Sequence, residues 1–113
     1  MARNQVDNIE VYSDVIKALV TEAANKVEGI EVIDEKAGTK NRRFRGEGVS
    51  VYIMPNDKVT IDIFANIFHG YSVPDVVAQV QEVALKTVEA STRYTVTSIN
   101  VTVVSVIFPP NEQ

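Results

Sequence analysis

VTIDIFANIFHGYSVPDVVAQVQEVALKTV, residues Val59 to Val88, is the stretch whose reading decides the fold. Val59, Ile61, Ile63, Ala65 and Ile67 recur at every second position, with Thr60, Asp62 and Asn66 between them. That alternation predicts a strand with one face on a core. Past His69-Gly70 the period changes. Val73, Val76, Val77, Val80, Val83, Ala84 and Val88 follow helical spacing, and Gln79, Gln81, Glu82, Lys86 and Glu89 fill the other side. Ser72 is placed to cap this helix. Pro74 sits in the first turn, where its missing N–H costs nothing, and Asp75 complements the helix dipole.

Outward from this unit, Val49, Val51 and Ile53 alternate with Ser50, Tyr52 and Met54, and Pro55-Asn56-Asp57 is turn chemistry. Residues 49–54 and 59–68 therefore read as an antiparallel hairpin. After the second helix, which runs to about Thr92, a last strand covers roughly Val96 to Phe108. Ile99, Val101 and Val103 share one face, yet Val104, Val106 and Phe108 make the other face apolar as well. A bulge near Val103-Val104 would keep one face inward. The other explanation is a strand end covered on both sides, by a helix and by a partner. Pro109-Pro110 ends the ladder.

Towards the N-terminus, residues 1–8 are expected as a flexible polar arm and Ile9 to Tyr12 as a short edge strand. Ser13 is expected to cap a helix carrying Val15, Ile16, Leu19, Val20, Ala23, Ala24 and Val27, with Gly29 stopping it. IEVID, residues 30–34, suits a short strand. Glu35 to Gly48 has no periodicity and is rich in charge and glycine, the mark of a functional or mobile loop. The expected architecture is α+β: two helices packed on one face of a mixed or antiparallel sheet of four to five strands, in the order β-α-β-β-β-α-β. It forms a single domain over 9–109, with a C-terminal tail at 110–113.

The totals fit one soluble domain. The chain has 113 residues, 45% of them apolar, and a net charge of −4, which argues against a surface that coats nucleic acid or anionic lipid. There is no cysteine, so disulfides, thiolate metal sites and thiol nucleophiles are excluded. The opening MARNQVDNIEV has no secretory pattern, and no window approaches the roughly 20 apolar residues that span a bilayer. Direct membrane insertion is not expected.

Three constellations of residues bear on chemistry. Lys36, Lys40, Arg42, Arg43 and Arg45, with Phe44 among them, place five of the eleven cationic residues in a loop over 36–45. Such a loop can contact phosphate or RNA, with Phe44 stacking, or an acidic protein; its bland reading is a solvated loop of mixed charge. His69, the single histidine, has Gly70, Tyr71 and Ser72 beside it but none of the partners a general base or metal site needs. The carboxylates are dispersed: Asp62 belongs to a strand's polar face, and Asp75, Glu82 and Glu89 read as a solvated helix face. Zinc, nucleophile-elbow and phosphate-loop signatures are missing, so no catalytic residue, cofactor or metal is expected.

FHGYSVPDVVAQVQEVALKTVE (68–89) and TVTSINVTVVSVIFP (95–109) resemble the alkaline shock protein family, small envelope-stress proteins of Gram-positive bacteria. The resemblance rests on Gly70, Ser72, Val73, Pro74, Val80, Gln81, Val96, Ile99, Asn100, Val101, Val103, Val106 and Phe108. In the first half it rests on Ile9-Glu10-Val11, Ser13 to Ile16 and Val27 to Ile30. Where members commonly carry a glycine after the second helix, this chain has Thr92-Arg93-Tyr94. The resemblance implies a non-enzymatic cytoplasmic protein of cell-envelope homeostasis, with some members held at the membrane by a separate anchoring protein and others linked to lipid metabolism. The expected mode of action is protein–protein contact, self-association included, with Val104, Val106 and Phe108 as the candidate assembly surface. The alternative is an RNA- or phosphate-binding regulatory module using the loop 36–45.

Overall fold

The computed structural model describes residues 2–33 and 48–109, and for 2–11 the backbone alone. The elements run α1 (Ala2–Asn25), β1 (Ile30–Val32), β2 (Val49–Met54), β3 (Lys58–Phe68), α2 (Val73–Ser91) and β4 (Thr95–Ile107). The fold is α+β, as expected, with four strands in one mixed sheet. The order differs at the start. Residues 2–8 are helical rather than an arm, Ile9 to Tyr12 form no strand, and Ser13 lies within α1 instead of capping it. Two apolar residues two apart are too short a run to fix a period. Ile9 also begins a helical series through Tyr12, Ile16, Val20 and Ala24, of which Tyr12 packs on the core and the last three are fully buried.

α1 ends at Asn25, earlier than Gly29. The Asn25 side chain leaves the helix to accept a hydrogen bond from the Val32 N–H at 3.0 Å. Gly29 then takes φ +96°, a left-handed turn into β1 that any side chain would strain.

β3 is the centre of the sheet. β4 runs parallel to it over its whole length, from Lys58↔Thr95 to Phe68↔Ile107. The opposite edge is shared end to end by two antiparallel strands, β1 against Ala65–Ile67 and β2 against Lys58–Ile63. Phe64 joins them: its C=O accepts from the Ile33 N–H at 3.0 Å, and its N–H donates to the Gly48 C=O at 2.7 Å. β1 and β2 are thus one interrupted edge strand, with the 34–47 segment leaving and returning at the rung of Phe64. Gly48 is required there, because a Cβ would run into the Ile33 carbonyl oxygen. The expected hairpin forms, its turn carried by Asn56 and Asp57 at φ 66° and 59°.

Val59, Ile61, Ile63, Ala65 and Ile67 are all fully buried beneath the helices. Above them lie Ile16, Val20 and Ala24 of α1 and Val76, Val80, Ala84 and Val88 of α2, each series at one-turn spacing. At roughly 1.5–3 kcal/mol per large buried side chain, this single cluster is the main term holding the layers together. α1 covers β1 and β2, while α2 covers β4. Ser72 caps α2 as expected, its hydroxyl accepting from the Asp75 N–H at 3.4 Å. At the other end Thr92 stands in for the usual glycine. It is extended (φ −137°, ψ 171°), so no left-handed residue is needed, and both its N–H and its hydroxyl donate to the Val88 C=O.

Candidate functional site

β4 holds the features that the core does not explain. It has two irregularities against β3, where Val59↔Val96 is followed by Thr60↔Ser98 and Ala65↔Val103 by Asn66↔Ser105. Thr97 and Val104 are the extra residues, and the second is the bulge that the apolar pattern predicts. It shifts the phase of the strand, so that Val106, opposite Ile67, returns to the helix-side face that Ile99, Val101 and Val103 occupy opposite Ile61, Ile63 and Ala65.

The register also fixes which backbone groups of β4 are spoken for. Phe64 turns its N–H and C=O towards β1 and β2, so the odd-numbered neighbours Ile61, Ile63 and Ala65 turn theirs towards β4. In a parallel ladder their partners Ile99, Val101 and Val103 then face away from β3. The sequence Thr95–Ile107 contains no charged residue and no proline. Edge strands of this length usually carry one or the other. α2 covers part of the edge instead: Gln81 Nε2 donates to the Ile99 C=O at 3.1 Å, and the Val96 N–H donates to Glu89 Oε2 at 3.0 Å. Among the described residues no strand pairs with this edge.

On the face away from the helices, polar pairs lace β4 to β3. Asn100 Nδ2 donates to Asp62 Oδ1 at 3.0 Å, and the Thr60 and Thr97 hydroxyls lie 3.1 Å apart. Asn66 is buried, donating to Glu31 Oε1 at 3.3 Å and accepting from Ser105 Oγ at 2.7 Å. The expected solvated face is therefore a hydrogen-bonded surface that fixes the register of β4.

At the C-terminal end of the strand the apolar residues gather. Phe108 is 63% exposed and Val106 43%, whereas Val104 is half-buried in the bulge. The Phe108 ring packs on His69 with centroids 4.6 Å apart, and the His69 N–H donates to the Ile107 C=O at 2.7 Å. The imidazole thus braces the end of β4. Tyr71 closes the turn from the other side, its hydroxyl donating to Glu28 Oε1 at 3.3 Å. That carboxylate, with some burial and the hydrogen bond itself, raises the phenol above its ordinary value.

Lys36, Lys40, Arg42, Arg43, Phe44 and Arg45 lie outside the described residues; only the rung from which their loop springs is fixed. Among the described residues no three His, Cys, Asp or Glu side chains gather as a metal site. No described helix is long and apolar enough to cross a membrane. What sequence reading missed is the α2 contribution to the edge, Gln81, Leu85 and Glu89. Leu85 is off the helix stripe and 37% exposed, and an apolar residue on the wet side was the available signal.

These features define a two-layer α+β domain with an interrupted strand at one sheet edge and a long uncharged strand at the other. The chain belongs to the alkaline shock protein 23 family, of cell envelope-related function, whose family model matches residues 1–108. The resemblance read from 68–89 and 95–109 is thereby confirmed. It is 29% identical to the uncharacterized protein YqhY of Bacillus subtilis (strain 168), over 113 aligned positions covering 93% of this chain and 81% of that one. No solved structure matches the chain.

Proposed function

We propose that this chain is a non-enzymatic, cytoplasmic docking module of cell-envelope homeostasis. It works by protein–protein contact and is held at the membrane by a separate anchoring protein. The observation that carries this reading is the exposed apolar end of β4, Val106 and Phe108. Large exposed apolar side chains gathered at one end of a small domain suit a partner's pocket, since aromatic anchors supply most of the energy of such contacts. The cell envelope-related description of the family supports the setting.

The test is fractionation of cells expressing the wild type or a Val106→Asp/Phe108→Asp variant. The wild type is expected partly in the membrane fraction and released from it by alkaline carbonate, which strips peripheral proteins. The variant, confirmed folded by circular dichroism, is expected in the supernatant. Equal distribution of the two proteins, or wild type that resists carbonate, overturns the proposal.

A further inference from the structure

We infer that the outer edge of β4 pairs antiparallel with β4 of a second copy about a twofold axis at Val101, joining two sheets into one. This deepens the docking reading above and names a second copy of this chain as one of its partners. Part of this edge is left open. Thr97 and Val104 are bulges, and between them Ser98 to Val103 is the regular run of the strand. Its outward residues are Ile99, Val101 and Val103, and Val101 is the middle one. A twofold axis there sets Val101 against Val101 and Ile99 against Val103 of the copy. Outward N–H then meets outward C=O at the Val101–Val101 and Ile99–Val103 pairs, while Asn100 stands beside Thr102 of the copy as a non-hydrogen-bonded pair.

Charge selects the occupant. A strand that meets itself places identical groups near one another, and a protein of net charge −4 would ordinarily repel its copy. Thr95–Ile107 has no charged side chain, so this seam carries no like-charge contact. The flanks agree. Val96, Ile99, Val101 and Val103 are only partly buried by α2, and an open groove of about 200 Å³ runs between Gln81 and Leu85 of the helix and Val96 to Ile99 of the strand. The axis stands perpendicular to the sheet, so both helix layers stay on one side and α2 approaches its copy over that groove. This matters energetically. Five paired residues, Ile99 to Val103, extend about 17 Å and by themselves bury less than the roughly 800 Å² per partner of a standard interface, so the exposed Leu85 adds needed apolar area. Gln81 need not withdraw, because the Ile99 C=O has a second lone pair.

The experiment uses the full chain, which is free of cysteine. Asn100→Cys and Thr102→Cys are made as separate variants, mixed, and oxidised. Opposed non-hydrogen-bonded positions bring Cα atoms to about 4.5 Å, within disulfide reach. The mixture is expected to give covalent dimer roughly tenfold faster than either variant alone. Amide exchange on the unmodified protein is a second reading that needs no variant. Raising the concentration roughly a hundredfold is expected to slow the Val101 and Val103 amides while leaving Asn100 and Thr102, which face β3, unchanged. Equal crosslinking in mixed and unmixed samples, or concentration-independent exchange at Val101 and Val103, overturns the pairing. Protection that requires another protein or an added peptide overturns it too. Val101→Pro, which removes an outward donor and no bond to β3, separates the two proposals. Loss of the dimer with membrane recovery unchanged leaves both standing. Carbonate-resistant wild type sinks the docking reading alone.

Discussion

Arg93 Nε lies 3.5 Å from Oδ1 of Asp57, tying the start of β4 to the tip of the β2–β3 hairpin. The same guanidinium sits over the rings of Tyr12 and Tyr94, at 5.4 Å and 5.6 Å from their centroids. The two rings meet edge to face at 5.7 Å. One side chain thus touches α1, the hairpin turn and the α2–β4 junction. The Asp57 C=O reinforces this by accepting from the Thr95 N–H at 2.8 Å.

Both side chains of the ion pair are more than half exposed (64% and 56%), so the pair itself contributes little. Stacking on two rings contributes comparably. Arg93→Ala is expected to lower unfolding stability by about 1 kcal/mol in urea titration. Arg93→Lys keeps the charge but not the planar stacking and should recover less than half of it. A loss equal to that of Asp57→Asn, which removes the charge but tolerates the left-handed turn, would show that the ion pair alone carries the effect.

Gly29 and Gly70 have nearly the same backbone, φ +96° and +101°, in different surroundings. A Cβ on Gly70 meets nothing within 4 Å, whereas one on Gly29 falls 2.6 Å from Cγ of Tyr71. Gly70→Ala should therefore cost only the left-handed penalty of about 1–2 kcal/mol. Gly29→Ala should cost that plus displacement of the ring. Combining Gly29→Ala with Tyr71→Ala should be less harmful than the sum of the two, measured as a double-mutant cycle in chemical denaturation.

The centre of the fold was plain in the sequence because β3 and α2 each sustain one period over many residues. Ile61 and Val80 sit where alternation and helical spacing put them, and the Val103-Val104 phase change correctly marked a bulge. The N-terminal helix was misread because Ile9 and Val11 fit either period and only tertiary packing decides. The joining of β1 and β2 at Phe64 was invisible, since two strands separated by an aperiodic segment give no sign of sharing an edge. For the same reason the Arg93–Asp57–Tyr12 contact could not be read. The apolar end of β4 was legible as residues, Val106 and Phe108, but the coverage of Val96 and Ile99 by Glu89 and Gln81 depends on side-chain direction. Periodicity says nothing about that.

Tyr71 offers a pH signature. The Glu28 carboxylate raises its pKa above 10.0, so the protonated phenol is favoured in the folded chain relative to the unfolded one. The contribution is fully present below the unfolded value and is lost as pH rises through the folded one. In an absorbance titration of the four tyrosines, Tyr71 should ionise above the ordinary phenol value. Glu28→Gln removes the charge and should shift that step downward, towards ordinary phenol behaviour. An identical titration curve in the variant would show that the hydroxyl does not feel this carboxylate.

Asn66 is the buried polar side chain that the sheet is built around, 3% exposed and bonded to strands on both sides of it. Its amide suits both neighbours: the NH₂ serves the Glu31 carboxylate and the carbonyl serves the Ser105 hydroxyl. Asn66→Asp is nearly the same shape but turns the donor towards Glu31 into a second acceptor, so two carboxylates face each other. Stability should fall by about 2 kcal/mol at neutral pH. The introduced carboxyl has a raised folded pKa, so the deficit should shrink as pH falls through that value, opposite in sense to acid denaturation. Adding Glu31→Gln, which removes the facing charge and brings a donor, should restore much of the loss at neutral pH. A deficit that does not change with pH and is not repaired by Glu31→Gln would mean that Asn66 acts through Ser105 and β4 alone.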